Sequence, residues 1–168
     1  MPIKDDKQKE YNFHKFKACQ AGLSYTWEIR KVRSSYMLFT EDNINPKEYS
    51  PLALAYLGDS VYDLFIRTKI LQKGNRHVTD MHKEAVSFVK AKSQAVSAYA
   101  IESELNEDEL RVLKWGRNAK STPPKNADVT DYRMATGFET LVGYLYTSGQ
   151  NERLSYLLEK AYEAMLTQ

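Results

Sequence analysis

The chain has 168 residues, enough for one domain around one core, and 42% hydrophobic with 27% charged residues excludes a disordered or fibrous class. No apolar run is long enough to cross a bilayer, and the charged N-terminus lacks the apolar segment of a secretory signal. A net charge of only +2 excludes a globally basic nucleic-acid binder, so any basic footprint has to be local, and the single Cys19 forms no internal disulfide, which fits a reducing cytoplasm.

Residues 1–44 differ in character from the rest of the chain and read as a polar, basic N-terminal extension outside the folded domain. Lys4-Asp5-Asp6-Lys7-Gln8-Lys9-Glu10 is a solvated charge run. Tyr11 to Cys19 and Tyr25 to Val32 mix basic and aromatic residues without a period, so a disordered extension is expected over an RNA-binding arm. Met37 opens a stretch that would itself make a plausible chain start, and the leader before it is expected to be dispensable or a misassigned upstream start.

The domain is expected over residues 45–168. Asn45-Pro46 interrupts the chain, and Ser50-Pro51 reads as an N-cap followed by proline at the first helical position. The helix it opens runs to about Gln72, before Lys73-Gly74-Asn75. Leu54, Leu57, Val61, Leu64 and Phe65 recur in it at helical spacing, which predicts a buried scaffold helix. Gly58 and Asp59 stand inside that run. A mid-helix glycine costs roughly 1 kcal/mol relative to alanine, and a carboxylate among apolar neighbours must be paired or metal-bound if it is buried. Asp59 on the solvated edge of the helix is the competing reading.

Thr79 or Asp80 is expected to cap a long or broken helix through Met81, Ala85, Phe88, Val89, Ala95, Val96 and Tyr99. Asn106 caps a short helix carrying Leu110, Leu113 and Trp115. Arg117 to Asp131 lacks an apolar period, holds Pro123-Pro124 and reads as a loop. A helix follows from Tyr132 to Ser148, ended by Gly149, and a last amphipathic helix spans Leu154 to Leu166. No segment alternates as a strand, so the fold class is all-α.

Two helices therefore carry one acid each among apolar and small residues: Leu54-Ala55-Tyr56-Leu57-Gly58-Asp59-Ser60-Val61-Tyr62-Asp63, and Thr136-Gly137-Phe138-Glu139-Thr140-Leu141-Val142-Gly143-Tyr144. With Phe88-Val89-Lys90-Ala91-Lys92-Ser93-Gln94-Ala95 and the loop Arg117-Asn118-Ala119-Lys120 to Lys125-Asn126, they resemble the ribonuclease III catalytic domain from about Asn45 to about Thr147. The likeness is to its Mini-ribonuclease III branch, which lacks a double-stranded-RNA-binding domain.

The resemblance implies a homodimeric helical endonuclease for double-stranded RNA. Asp59 and Glu139 are then the catalytic residues and the ligands of Mg2+, the ion suited to few carboxylates plus waters. Products carry 5′-phosphate and 3′-hydroxyl ends. The family's role is maturation of large-subunit (23S) ribosomal RNA, and a ribosomal protein bound to that RNA can assist. Full-length ribonuclease III carries further carboxylates where Leu52, Ala55 and Thr136 stand here, which leaves fewer protein ligands. Asp63 is an outer candidate, and His14, His77 and His82 lack zinc-type spacing.

Grip on RNA is assigned to local cations and their neighbours: Lys90, Lys92, Arg117, Asn118, Lys120, Lys125 and Arg133. Loop cations meet phosphates, consistent with recognition of A-form RNA by shape. Tyr56 and Tyr62 are candidates for the dimer interface or the core. The rival reading is a non-catalytic RNA-binding or ribosome-assembly module on the same fold, and a plain helical dimerisation module leaves the basic loop unexplained.

Overall fold

A computed structural model describes residues 44–167. The extension expected over residues 1–44 falls, through residue 43, outside the described residues. The described part is all helical, without strands. Its α-helices are α1 (Pro51–Gln72), α2 (Val78–Val89), α3 (Ala91–Ile101), α4 (Glu107–Arg117), α5 (Val129–Thr147) and α6 (Asn151–Leu166), with short 3-10 turns at Pro46–Glu48 and Glu102–Glu104.

Local chemistry explains most boundaries. Ser50 Oγ accepts from the Ala53 amide at 3.2 Å, and Pro51 takes the first helical position of α1. Asn106 and Glu109 form a reciprocal capping box at the start of α4. Two expected starts shift. His77, not Thr79 or Asp80, caps α2, its Nδ1 accepting from the Thr79 amide at 3.4 Å. Helix α5 begins at Val129 because Asp128 Oδ1 accepts from the amides of Thr130 and Asp131 at 2.8 and 2.9 Å, so the preceding loop is shorter than Arg117 to Asp131. The long second segment is broken at Lys90, whose extended backbone (φ −67°, ψ 148°) ends α2 and starts α3.

Helix α5 is the central post, burying Met134, Ala135, Phe138, Leu141, Val142 and Leu145. It packs mainly against α1, α3 and α4, and more lightly against α6. Tyr62 of α1 is fully buried, edge-on to Phe138 with ring centroids 5.0 Å apart, and its hydroxyl lies 3.4 Å from Ser97 Oγ of α3. The buried face of α1 is Leu54, Ala55, Gly58, Tyr62, Ile66 and Ile70; of the expected stripe, Leu54 is buried, Val61 and Phe65 pack half-buried at its edge, and Leu57 is half-buried. Leu64 is exposed, because α1 is apolar around much of its girth and periodicity alone does not choose the face. Tyr56 projects outward, 81% exposed.

Gly58 and Gly143 let α1 and α5 meet backbone to backbone. A Cβ on Gly58 would stand 2.8 Å from both the Glu139 carbonyl carbon and the Gly143 nitrogen, and one on Gly143 would stand 2.8 Å from the Leu54 carbonyl carbon. This contact is the packing reason for a glycine inside an apolar helix.

Candidate active site

The Gly58 crossing sets the Glu139 backbone against α1 one residue before Asp59, so two acids 80 positions apart in sequence share one corner of the fold. Between them stands Gln94 of α3, 1% exposed. Its Nε2 donates to Asp59 Oδ1 at 3.3 Å, and its amide lies near enough to the Glu139 carboxyl to oppose a rise in that group's pKa.

The two acids differ in environment. Asp59 is exposed, as in the reading that sets it on the solvated edge of the helix, because it lies beside the core face that runs through Gly58 and Tyr62. Glu139 is the desolvated member. Burial pushes its carboxyl up to about 8, the negative charge of Asp59 adds to that, and the Gln94 hydrogen bond opposes it. Among the described residues no cation pairs with either acid.

The donor set suits a hard divalent cation. One solvent-facing carboxylate and one desolvated carboxyl leave a local shortage of positive charge, which a cation would relieve while lowering the Glu139 pKa. No third acid, histidine or cysteine joins them among the described residues, so water would complete the coordination, as magnesium prefers. The places where full-length relatives carry further acids hold Leu52, buried Ala55, and buried Thr136, whose Oγ1 donates to the Tyr132 carbonyl at 3.0 Å. Asp63 is held by Arg67 Nε at 2.6 Å in an i,i+4 ion pair, which accounts for it as a surface acid.

The seven residues expected to grip RNA occupy three places. Lys90 is the exposed break between α2 and α3, and Lys92 is exposed in the first turn of α3, two residues before Gln94. Arg117 ends α4, half-buried, with its backbone nitrogen 3.2 Å from where a Cβ on Gly137 would stand, which ties the start of the basic loop to α5 two residues before Glu139. Asn118 caps α4 and accepts from Arg117 Nε at 3.4 Å. Lys120 and Lys125 are exposed on the loop, and Arg133 is exposed early in α5. Among the described residues none of these cations forms an ion pair. Gln94 escaped the site assignment, although an amide inside the apolar period of α3 was the signal for it.

A model of the ribonuclease III domain matches residues 52–150. The chain is 48% identical to a Mini-ribonuclease 3 of Clostridium tetani over 72% of its own length and 80% of that protein. It is 50% identical to a Mini-ribonuclease 3 of a Thermoanaerobacter species over 69% and 82%. A crystal structure of a Fusobacterium nucleatum protein superposes with a TM-score of 0.61 at 32% identity, covering 66% of this chain and 89% of that one. The sequence motifs, the helical fold and these relatives together place the chain in the Mini-ribonuclease 3 branch of the ribonuclease III family.

Proposed function

We propose that this endoribonuclease is magnesium-dependent, uses Asp59 and Glu139 as its metal-holding and catalytic acids, and matures the ends of 23S ribosomal RNA on a double-stranded stem of its precursor. The observation that carries the site is the approach of Asp59 and Glu139 at the Gly58 crossing beside the buried Gln94 amide, which donates to Asp59, with Glu139 raised to about 8. Magnesium, when bound, neutralises charge on the scissile phosphate and supports formation of the attacking hydroxide. Asp59, at the surface, and Glu139, in its ionised form, are the residues that would hold the cation. Lys90, Lys92, Arg117, Lys120, Lys125 and Arg133 take RNA phosphates, while Asn118 is placed for the backbone or a 2′-hydroxyl. Hydrolysis leaves a 5′-phosphate and a 3′-hydroxyl.

The protein works as a homodimer in this reading, one active site per strand. Leu52, Tyr56, Leu64 and Leu71 expose apolar surface along α1, where a second copy would cover it. A ribosomal protein bound to the precursor assists, and the setting is the cytoplasm. No helix among the described residues is long and apolar enough to cross a membrane.

The test compares a precursor stem of 23S RNA with an unrelated duplex of equal length, with end-group analysis, and compares wild type with Tyr56→Glu by sedimentation. Preferred cutting of the precursor stem by a dimer, lost with dimerisation in Tyr56→Glu, is expected. Equal cutting of both duplexes would remove the ribosomal assignment, and full activity of a monomer would remove the dimer.

A further inference from the structure

We propose that Gln94 is a positioning residue of the paired carboxylates: a buried neutral amide between Asp59 and Glu139 that donates to Asp59 and sets its orientation toward Glu139 for a divalent cation. This rests on the reading of the two acids as metal ligands. Asp59 is exposed, so packing does not choose its rotamer, and the bond from Gln94 Nε2 is the only side-chain hydrogen bond to its carboxylate among the described residues. Gln94 itself is held by burial on α3, which packs directly on α5. An exposed ligand thus takes its orientation from a buried residue that is not itself a ligand.

The residue type matters. A lysine or arginine between the acids would supply the charge that the cation has to bring and would compete with it. A third carboxylate would add a like charge beside the two acids, and an apolar side chain would leave Asp59 without a donor. An amide offers N–H groups and no charge, so it anchors one oxygen of Asp59 while leaving the other for the metal.

The experiment measures Mn2+ binding by calorimetry and the Mg2+ dependence of duplex cleavage for wild type, Asp59→Asn and Gln94→Met, a substitution that keeps volume and removes the donors. Gln94→Met is expected to bind Mn2+ about 10–100-fold more weakly and to need correspondingly more Mg2+ for half-maximal cleavage. Its KM for duplex RNA at saturating Mg2+ should match wild type. In wild-type protein the Gln94 side-chain amide resonances should exchange slowly with water and shift on Mg2+ addition, saturating with the binding curve. Wild-type affinity in Gln94→Met with loss in Asp59→Asn would overturn the role of Gln94 alone. No Mn2+ binding by wild type, or equal binding by Asp59→Asn, would overturn the metal site and this inference with it. Should Gln94→Met not fold, Gln94 amide resonances that ignore Mg2+ while the protein binds it would overturn the inference on wild-type protein.

Discussion

Replacing Gly58 with alanine should destabilise the protein, although the same change in an isolated helix stabilises it. In a free helix interior the substitution gains about 1 kcal/mol. Here the new methyl would lie 2.8 Å from the Glu139 carbonyl carbon and the Gly143 nitrogen, and closer still to the Glu139 carbonyl oxygen. Ordinary contact needs 3.4–4 Å, so the 2.8 Å contacts alone require 0.6 Å of opening, and the closer carbonyl oxygen requires the α1–α5 crossing to open further still. The obstacle is backbone, so no rotamer change relieves it. Overpacking of this kind costs about 1–3 kcal/mol, and a backbone clash belongs at the upper end. Subtracting the helix gain leaves a loss of about 2 kcal/mol, or roughly 6–10 °C in Tm for a domain of this size. Opening the crossing also moves Glu139 away from Asp59, so cleavage should fall further than stability accounts for. Circular-dichroism melting and cleavage well below Tm measure both. A Gly58→Ala protein as stable and as active as wild type would refute the crossing as the device that assembles the site.

The remaining predictions concern charge. Glu139 is raised from 4.5 to about 8, so the folded state holds its proton more tightly than the unfolded chain, and metal-free stability from this group is full below pH 4.5 and lost as pH rises toward 8. Glu139→Gln should therefore be more stable than wild type above pH 8 without metal, by a few kcal/mol at most, with the difference vanishing near pH 4; parallel urea titrations at both pH values check this. Glu109, 3% exposed in its side chain, accepts from Arg153 Nε and Nη2 at 2.8 Å, and Arg153 also donates to the Glu104 carbonyl. Arg153→Ala strands a buried carboxylate and should cost about 3–5 kcal/mol. The Arg153 hydrogen bond holds Glu109 below its usual carboxylate range, so the pair's contribution is present at neutral pH and lost as pH falls through the lowered value, which acid unfolding of the two proteins would show. Lys120→Ala and Lys125→Ala should each reduce the salt slope of RNA binding by about 1 without changing sequence preference, measured by titration from 50 to 200 mM salt.

Much of the fold was legible because capping is local. Ser50-Pro51, Asn106 with Glu109, and Gly149 with φ +67° mark their helix ends through contacts within a few residues. Helix faces were less legible. In α1, Tyr62 is buried while Tyr56 and Leu64 are exposed, and only packing against α5 separates them. The same applies to the acids. Asp59 stood open between a buried and a solvated place and Glu139 carried no sign of being the desolvated one, since that difference arises where three helices meet. Gln94 stood out only as an amide inside an apolar period, because its partner Asp59 lies 35 positions away on another helix.

The most direct test of the account is single-turnover cleavage of a double-stranded RNA with magnesium by wild type, Asp59→Asn and Glu139→Gln, with duplex binding measured in parallel. Cleavage by wild type alone, abolished by chelator, with RNA binding retained in all three, is the predicted result. Undiminished cleavage by either variant, or intact RNA bound equally by all three folded proteins, would contradict a metal-dependent nuclease built on these two acids.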